Sequence, residues 1–133
     1  MAAPTVLIVD DSPEVRSGLS AWFLGQVGNC AIAEAASGEE AIRCAASSPP
    51  HLVVMDVKLP GMNGFEATRR LRAAHPAVPV IIISLHDTPE HRHEAAIAGA
   101  SEFVSKHRMS EDLREAVWHL VPALVQDVPI GRG

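Results

Sequence analysis

Val6-Leu7-Ile8-Val9, Leu52-Val53-Val54-Met55 and Val80-Ile81-Ile82-Ile83 are short apolar runs, each closed at its carboxyl end by polar residues. The closing residues are Asp10-Asp11, Asp56 and Ser84. Runs of this kind, set between turn formers such as Pro49-Pro50 and Pro60-Gly61, read as strands buried on both faces. Such strands belong to parallel sheets covered by helices on either side. Polar groups at their carboxyl ends lie where open α/β sheets take their ligands. Asp56 alone would read as a turn cap. Three polar strand ends together read as a site.

The segments between these runs carry helix signals. Ser12-Pro13-Glu14 offers an N-cap, a proline at the first helical position and an early acid, and Val15, Leu19, Trp22 and Phe23 follow at helical spacing up to Gly28. Cys30 to Ala35 is less apolar and contains Glu34, which suits an edge strand. Ser37-Gly38-Glu39-Glu40 has the spacing of a capping box. Asn63-Gly64-Phe65-Glu66 and Thr88-Pro89-Glu90 open two more helices, the second stopping at Gly99. Phe103-Val104 is a brief fifth strand leading to Lys106, and Ser110-Glu111-Asp112-Leu113 opens a last helix that Pro122 ends.

Strand and helix therefore alternate five times, which predicts one doubly wound parallel α/β sheet, a (βα)5 arrangement. The most apolar strands, the first, third and fourth, belong in the centre. A strand order of 2-1-3-4-5 satisfies this, with the topological switch beside the first strand. Residues 1–125 form one domain, and residues 126–133, with Pro129, Gly131 and Gly133, read as a tail or the start of a linker.

Composition excludes several functions. The net charge of −5 argues against direct nucleic-acid binding by this domain. Its apolar runs are a few residues long, against the roughly 20 that a membrane span needs. Cys30 and Cys44 make no disulfide framework and read as reduced, packed thiols of a cytoplasmic protein.

Crowding Asp10, Asp11 and Asp56 is unfavourable unless a proton or cation intervenes. An all-oxygen acidic set suits a hard cation such as Mg²⁺. The loop after the first strand is Asp-Asp-Ser-Pro, not a glycine-rich phosphate cradle, so a nucleotide-binding or flavin-binding reading finds no support. A carboxylate beside Mg²⁺ can act as a nucleophile. Ser84 offers a hydroxyl and Lys106 a point charge to phosphoryl oxygens.

The ordered set Asp10-Asp11, Asp56, Ser84 and Lys106 resembles the receiver domain of two-component response regulators, a flavodoxin-like fold. The turn from Asp56 through Pro60-Gly61 to Gly64 is similar to that family's loop after its phosphoacceptor. The likeness runs from about Thr5 to Leu124. It implies that Asp56 accepts a phosphoryl group from a histidine kinase or a histidine phosphotransfer protein. It further implies that Asp11, Asp56 and the Lys58 backbone carbonyl bind Mg²⁺ directly, with Asp10 acting mostly through water. Ser84 and Lys106 would hold phosphoryl oxygens, and Phe103 stands at the aromatic switch position. The chain would thus be a phosphoacceptor and switch rather than an enzyme. His107 follows Lys106 where many receivers have proline, and Leu85 follows Ser84 where a small residue is frequent.

Ser84-Leu85-His86-Asp87 is similar to receivers of the LuxR/FixJ type, which implies control of transcription. Phosphatases of the haloacid-dehalogenase kind also form an aspartyl phosphate, but in an Asp-x-Asp turn after their first strand; here that turn is Asp10-Asp11-Ser12. On the last helix Trp118 lies roughly 130° from the centre of the stripe formed by Leu113, Val117, Leu120 and Leu124. It is therefore expected outside, on a face of fourth helix, fifth strand and fifth helix that the resemblance marks for a homodimer or an output module.

Overall fold

A computed structural model of the protein describes residues 3–124. The expected tail at 126–133 lies outside the described residues. The elements are β1 (Thr5–Val9), α1 (Pro13–Gln26), β2 (Ala31–Ala35), α2 (Gly38–Ser47), β3 (Leu52–Asp56) and α3 (Gly64–Ala74). They continue with β4 (Val80–Ser84), α4 (Pro89–Ala98), β5 (Glu102–Ser105), a 3₁₀ turn (Lys106–Arg108), α5 (Met109–Leu120) and a second 3₁₀ turn (Pro122–Leu124).

All five strands pair in parallel in the order β2-β1-β3-β4-β5. Every residue of β3 and β4 is buried, while β2 and β5 form the partly exposed edges. Because side chains alternate along a strand, each central strand feeds two cores. Val6, Ile8, Leu52, Val54, Ile81 and Ile83 face Leu19 and Phe23 of α1 and Leu113 and Val117 of α5. On the other face Leu7, Val9, Val53, Met55, Val80 and Ile82 pack with α2, α3 and α4, through residues such as Ala41, Leu71 and Ala95. Cys30 and Cys44 are free and pack against opposite cores. No helix among the described residues is long and apolar enough to cross a membrane.

Four helices start where their caps dictate. The side chains of Ser12, Ser37, Asn63 and Thr88 accept from the backbone N–H of Val15, Glu40, Glu66 and His91. Each such cap contributes about 1 kcal/mol. Glu40 completes its box one residue further out than the motif predicts, accepting from the N–H of Ala36 at 2.5 Å. Gly99 closes α4 at a φ of 98°, in the left-handed region that favours glycine.

The last helix corrects an expectation. Ser110 does not cap it. Ser105, at the end of β5, accepts from the N–H of His107 and starts the 3₁₀ turn, which passes directly into α5 at Met109. Arg108 stands at the N-cap position of α5 with no side-chain cap bond, and Ser110 falls inside the helix. The far end is as expected, with α5 stopping at Leu120 ahead of Pro122. Trp118 is exposed on α5, and Ile97 is exposed on α4.

Candidate functional site

Register places the polar groups. Val9 pairs with Met55, so Asp10 follows level with Asp56. Asp56 pairs with Ile83, so Ser84 stands one residue beyond; Ser84 pairs with Ser105, and Lys106 follows it. The carboxyl ends of β1, β3, β4 and β5 thereby converge on one edge of the sheet.

There they enclose a cavity of about 300 Å³, to which Asp10, Asp11, Asp56, Lys58, Ser84 and Lys106 all contribute. Asp10, Asp11 and Asp56 each offer a carboxylate oxygen within 4.8 Å of the others'. Asp10 and Asp56 are buried and Asp11 is exposed. Asp10 is fixed at both of its acceptor groups. Its Oδ1 accepts from the N–H of Ser12 at 3.0 Å, and its carbonyl accepts from Arg16 Nη1 at 2.7 Å. Arg16 is in turn paired to Glu34 of β2 at 2.9 Å.

Lys106 answers the negative charge. Its Nζ lies 3.1 Å from Asp56 Oδ1 and 3.3 Å from Asp10 Oδ2. Burial, and then the Asp10 charge, push the Asp56 carboxyl above its ordinary value; Lys106 and the backbone at Val57 pull it only part of the way back. Burial works against the Lys106 ammonium too, but Asp56 and Asp10 together outweigh it and leave the amine more basic than usual. The ammonium therefore stays charged at neutral pH.

Ser84 is turned toward its own loop. Its hydroxyl accepts from the N–H of His86 at 3.0 Å and donates to the His86 carbonyl at 3.3 Å, a long contact for a hydroxyl donor. Leu85, more than half exposed, and His86 stand on the cavity wall beside it. The Lys106–His107 bond is trans. Phe103 does not reach this cavity. It is half-buried against the α2–α3–α4 side of the sheet, with the Arg92 guanidinium 4.7 Å from its ring centroid.

Sequence reasoning missed Arg16 and the pair Asp87–Arg92, and it read Gly64 only as the end of the turn after Asp56, not as packing directly on the Asp56 carbonyl. Only Gly64 left a signal, a glycine in the first turn of a helix where many residues would serve. Chemically, the site can hold a hard cation through oxygen donors, and it presents a buried carboxylate beside a fixed ammonium.

The family model for the response regulator receiver domain matches residues 6–118. The chain is 42% identical over 113 residues to the transcriptional activator protein ExaE of Pseudomonas putida, an alignment covering 84% of this chain and 52% of ExaE. It is 31% identical over 113 residues to the nitrate/nitrite response regulator protein NarL of Escherichia coli, covering 85% of this chain and 52% of NarL. The chain thus spans about half the length of the curated relatives it matches. Among solved structures, chemotaxis protein CheY4 of Vibrio cholerae superposes with a TM-score of 0.81 at 28% identity, covering 90% of this chain and 100% of that one. A LuxR-family two-component response regulator from Aurantimonas gives a TM-score of 0.79 at 33% identity, covering 99% of both chains.

Proposed function

Because this chain belongs to the response regulator receiver domain family, we propose that it is a phosphorylation-dependent switch with Asp56 as its phosphoacceptor. The observation that carries this reading is one cavity shared by three carboxylates, a lysine and a serine, each delivered by a strand end. The phosphoryl donor is a histidine kinase or a histidine phosphotransfer protein. An Asp56 carboxylate oxygen forms the new bond to phosphorus as the bond to the donor's histidine nitrogen breaks. Lys106, already 3.1 Å from Asp56, meets the added negative charge. Ser84 donates its hydroxyl to a phosphoryl oxygen once it leaves the His86 carbonyl.

The donor set fits Mg²⁺: every ligand atom is oxygen, and of three clustered carboxylates two share the ammonium of Lys106. Asp11, Asp56 and the Lys58 carbonyl would hold the ion, with Asp10 acting mostly through water. When bound, the ion supplies positive charge to phosphoryl oxygens. Every other part of the reaction falls to the side chains above. The result is a switch, not a catalyst acting on a separate substrate.

The likeness to ExaE and NarL supports a role in transcription, with DNA contacted by another module rather than by this acidic domain. The same reading assigns the α4-β5-α5 face, including Trp118, to a homodimer or an output module. It also assigns residues 1–125 to the receiver and 126–133 to a tail or linker, and the protein to the cytoplasm. Incubation with Mg²⁺ and acetyl phosphate or beryllofluoride tests the central assignment. A single adduct is expected by mass, absent in Asp56→Asn. An adduct formed equally by Asp56→Asn counts against it.

A further inference from the structure

α4 holds the loop that carries Ser84 at two consecutive residues. His86 stacks on His91, with ring centroids 5.6 Å apart and planes 29° from parallel. His91 is itself fixed by a 2.9 Å hydrogen bond between its Nδ1 and the Thr88 hydroxyl. The next loop residue, Asp87, takes both prongs of the Arg92 fork: Oδ1 accepts from Nε at 2.6 Å and Oδ2 from Nη2 at 3.1 Å. The guanidinium held in this way is the one that lies over the Phe103 ring.

These contacts form an unbroken line. Ser84 is bonded through its hydroxyl to the backbone of His86. Asp87 is the next residue in the chain, Arg92 is clamped to Asp87, and Phe103 is covered by Arg92. A planar cation gripped at two points cannot follow a ring that turns away from it, so moving Phe103 costs the cation–π contact. Moving Ser84 out of its turn disturbs the same clamp from the other end.

We propose that Arg92 is a positioning residue for the reaction at Asp56: clamped by Asp87, it holds the Phe103 ring in its resting place and ties that ring to the Ser84 loop. This rests on the receiver reading above. Ion pairs and cation–π contacts at a partly exposed surface are individually weak, so the device biases an equilibrium rather than locking it.

The chain has three phenylalanines, so ring-¹³C-phenylalanine labelling gives three sets of signals, and Phe103→Leu identifies the relevant one. Wild type, Arg92→Gln and Asp87→Asn are titrated with beryllofluoride in Mg²⁺, following the Phe103 ring together with the Asp56 adduct. In both variants the resting Phe103 signal is expected to move toward its beryllofluoride-bound position. Half-saturation should need roughly three- to tenfold less beryllofluoride. Arg92→Lys, which keeps the charge and loses the fork, should fall between. A resting Phe103 signal and half-saturation point unchanged in Arg92→Gln and Asp87→Asn, with the adduct still formed, overturn the proposal and leave the receiver reading standing. Failure of the wild type to form any Asp56 adduct overturns the receiver reading and this proposal with it.

Discussion

Gly64 lies directly against the backbone of Asp56. A Cβ added to Gly64 would collide with the Asp56 carbonyl oxygen and lie 2.9 Å from the Val57 Cα. The Gly64 N–H also donates to the Val57 carbonyl at 2.9 Å. The start of α3 and the end of β3 are thus in backbone contact, with no side chain between them to give way.

Gly64→Ala should therefore destabilise the fold by about 2–4 kcal/mol, since neither backbone can yield without opening the strand end. Gly18→Ala is the matched control. Nothing lies within 4 Å of a Cβ at Gly18 in mid-α1, so that variant should gain roughly 0.5–1 kcal/mol. Urea unfolding of both measures the contrast. Equal effects would mean that the Asp56–Gly64 contact is not constraining.

A second expectation concerns pH. The folded state raises the Asp56 carboxyl above the ordinary aspartate value, because burial and then the Asp10 charge disfavour its ionised form. A raised acid contributes fully to stability below the unfolded value and loses that contribution as pH rises through the folded one. At neutral pH, without metal, Asp56 is thus a net cost. Asp56→Asn should melt higher than wild type there, and the gap should shrink as pH falls toward 3.8. Melts across a pH series check the sign; a gap that widens on acidification contradicts it.

Metal affinity should divide the two neighbouring aspartates. Asp11 is exposed and faces the cavity, whereas Asp10 is occupied by Ser12 and Lys106. Asp11→Ala should weaken Mg²⁺ binding at least about tenfold, more than Asp10→Ala does. Titration calorimetry of both variants decides it, and equal losses would remove the distinction.

The outer face offers a test of association. Trp118 is 36% exposed and Ile97 64% exposed. Tryptophan at such a position is an enriched interface anchor. Trp118→Ala should weaken dimerisation of the beryllofluoride form about tenfold or more while leaving the unmodified form unchanged. Sedimentation in both states reads this directly. Identical behaviour of variant and wild type leaves Trp118 a surface residue without a partner.

Most of the architecture was legible because burial on both faces leaves an unambiguous apolar run. Val6–Val9, Leu52–Met55 and Val80–Ile83 needed no tertiary information to be recognised as central strands. Four helix starts were equally plain, since Ser12, Ser37, Asn63 and Thr88 cap through local bonds. Ser110 misled because the 3₁₀ turn capped by Ser105 runs straight into α5, so the helix is already under way when the chain reaches Ser110. Asp10, Asp56, Ser84 and Lys106 were readable as strand ends, and parallel register did the rest. Gly64 against Asp56 depends on how the turn between β3 and α3 folds back, and Arg92 over Phe103 on how α4 lies along β5, and neither contact is encoded by apolar periodicity.

Lys106 reaches Asp10 across 96 residues of chain. During synthesis the acidic side of the pocket therefore leaves the ribosome long before its counter-charge. Until β5 docks, Asp10 and Asp56 have no ammonium beside them, and a sheet closed early around them would confine unbalanced charge. That favours leaving the strand ends open to water until nearly the whole domain has emerged. The same pairing makes an assembled pocket a sign of finished folding: a chain stopped short of residue 106 carries Asp10 and Asp56 but not the cation paired to them.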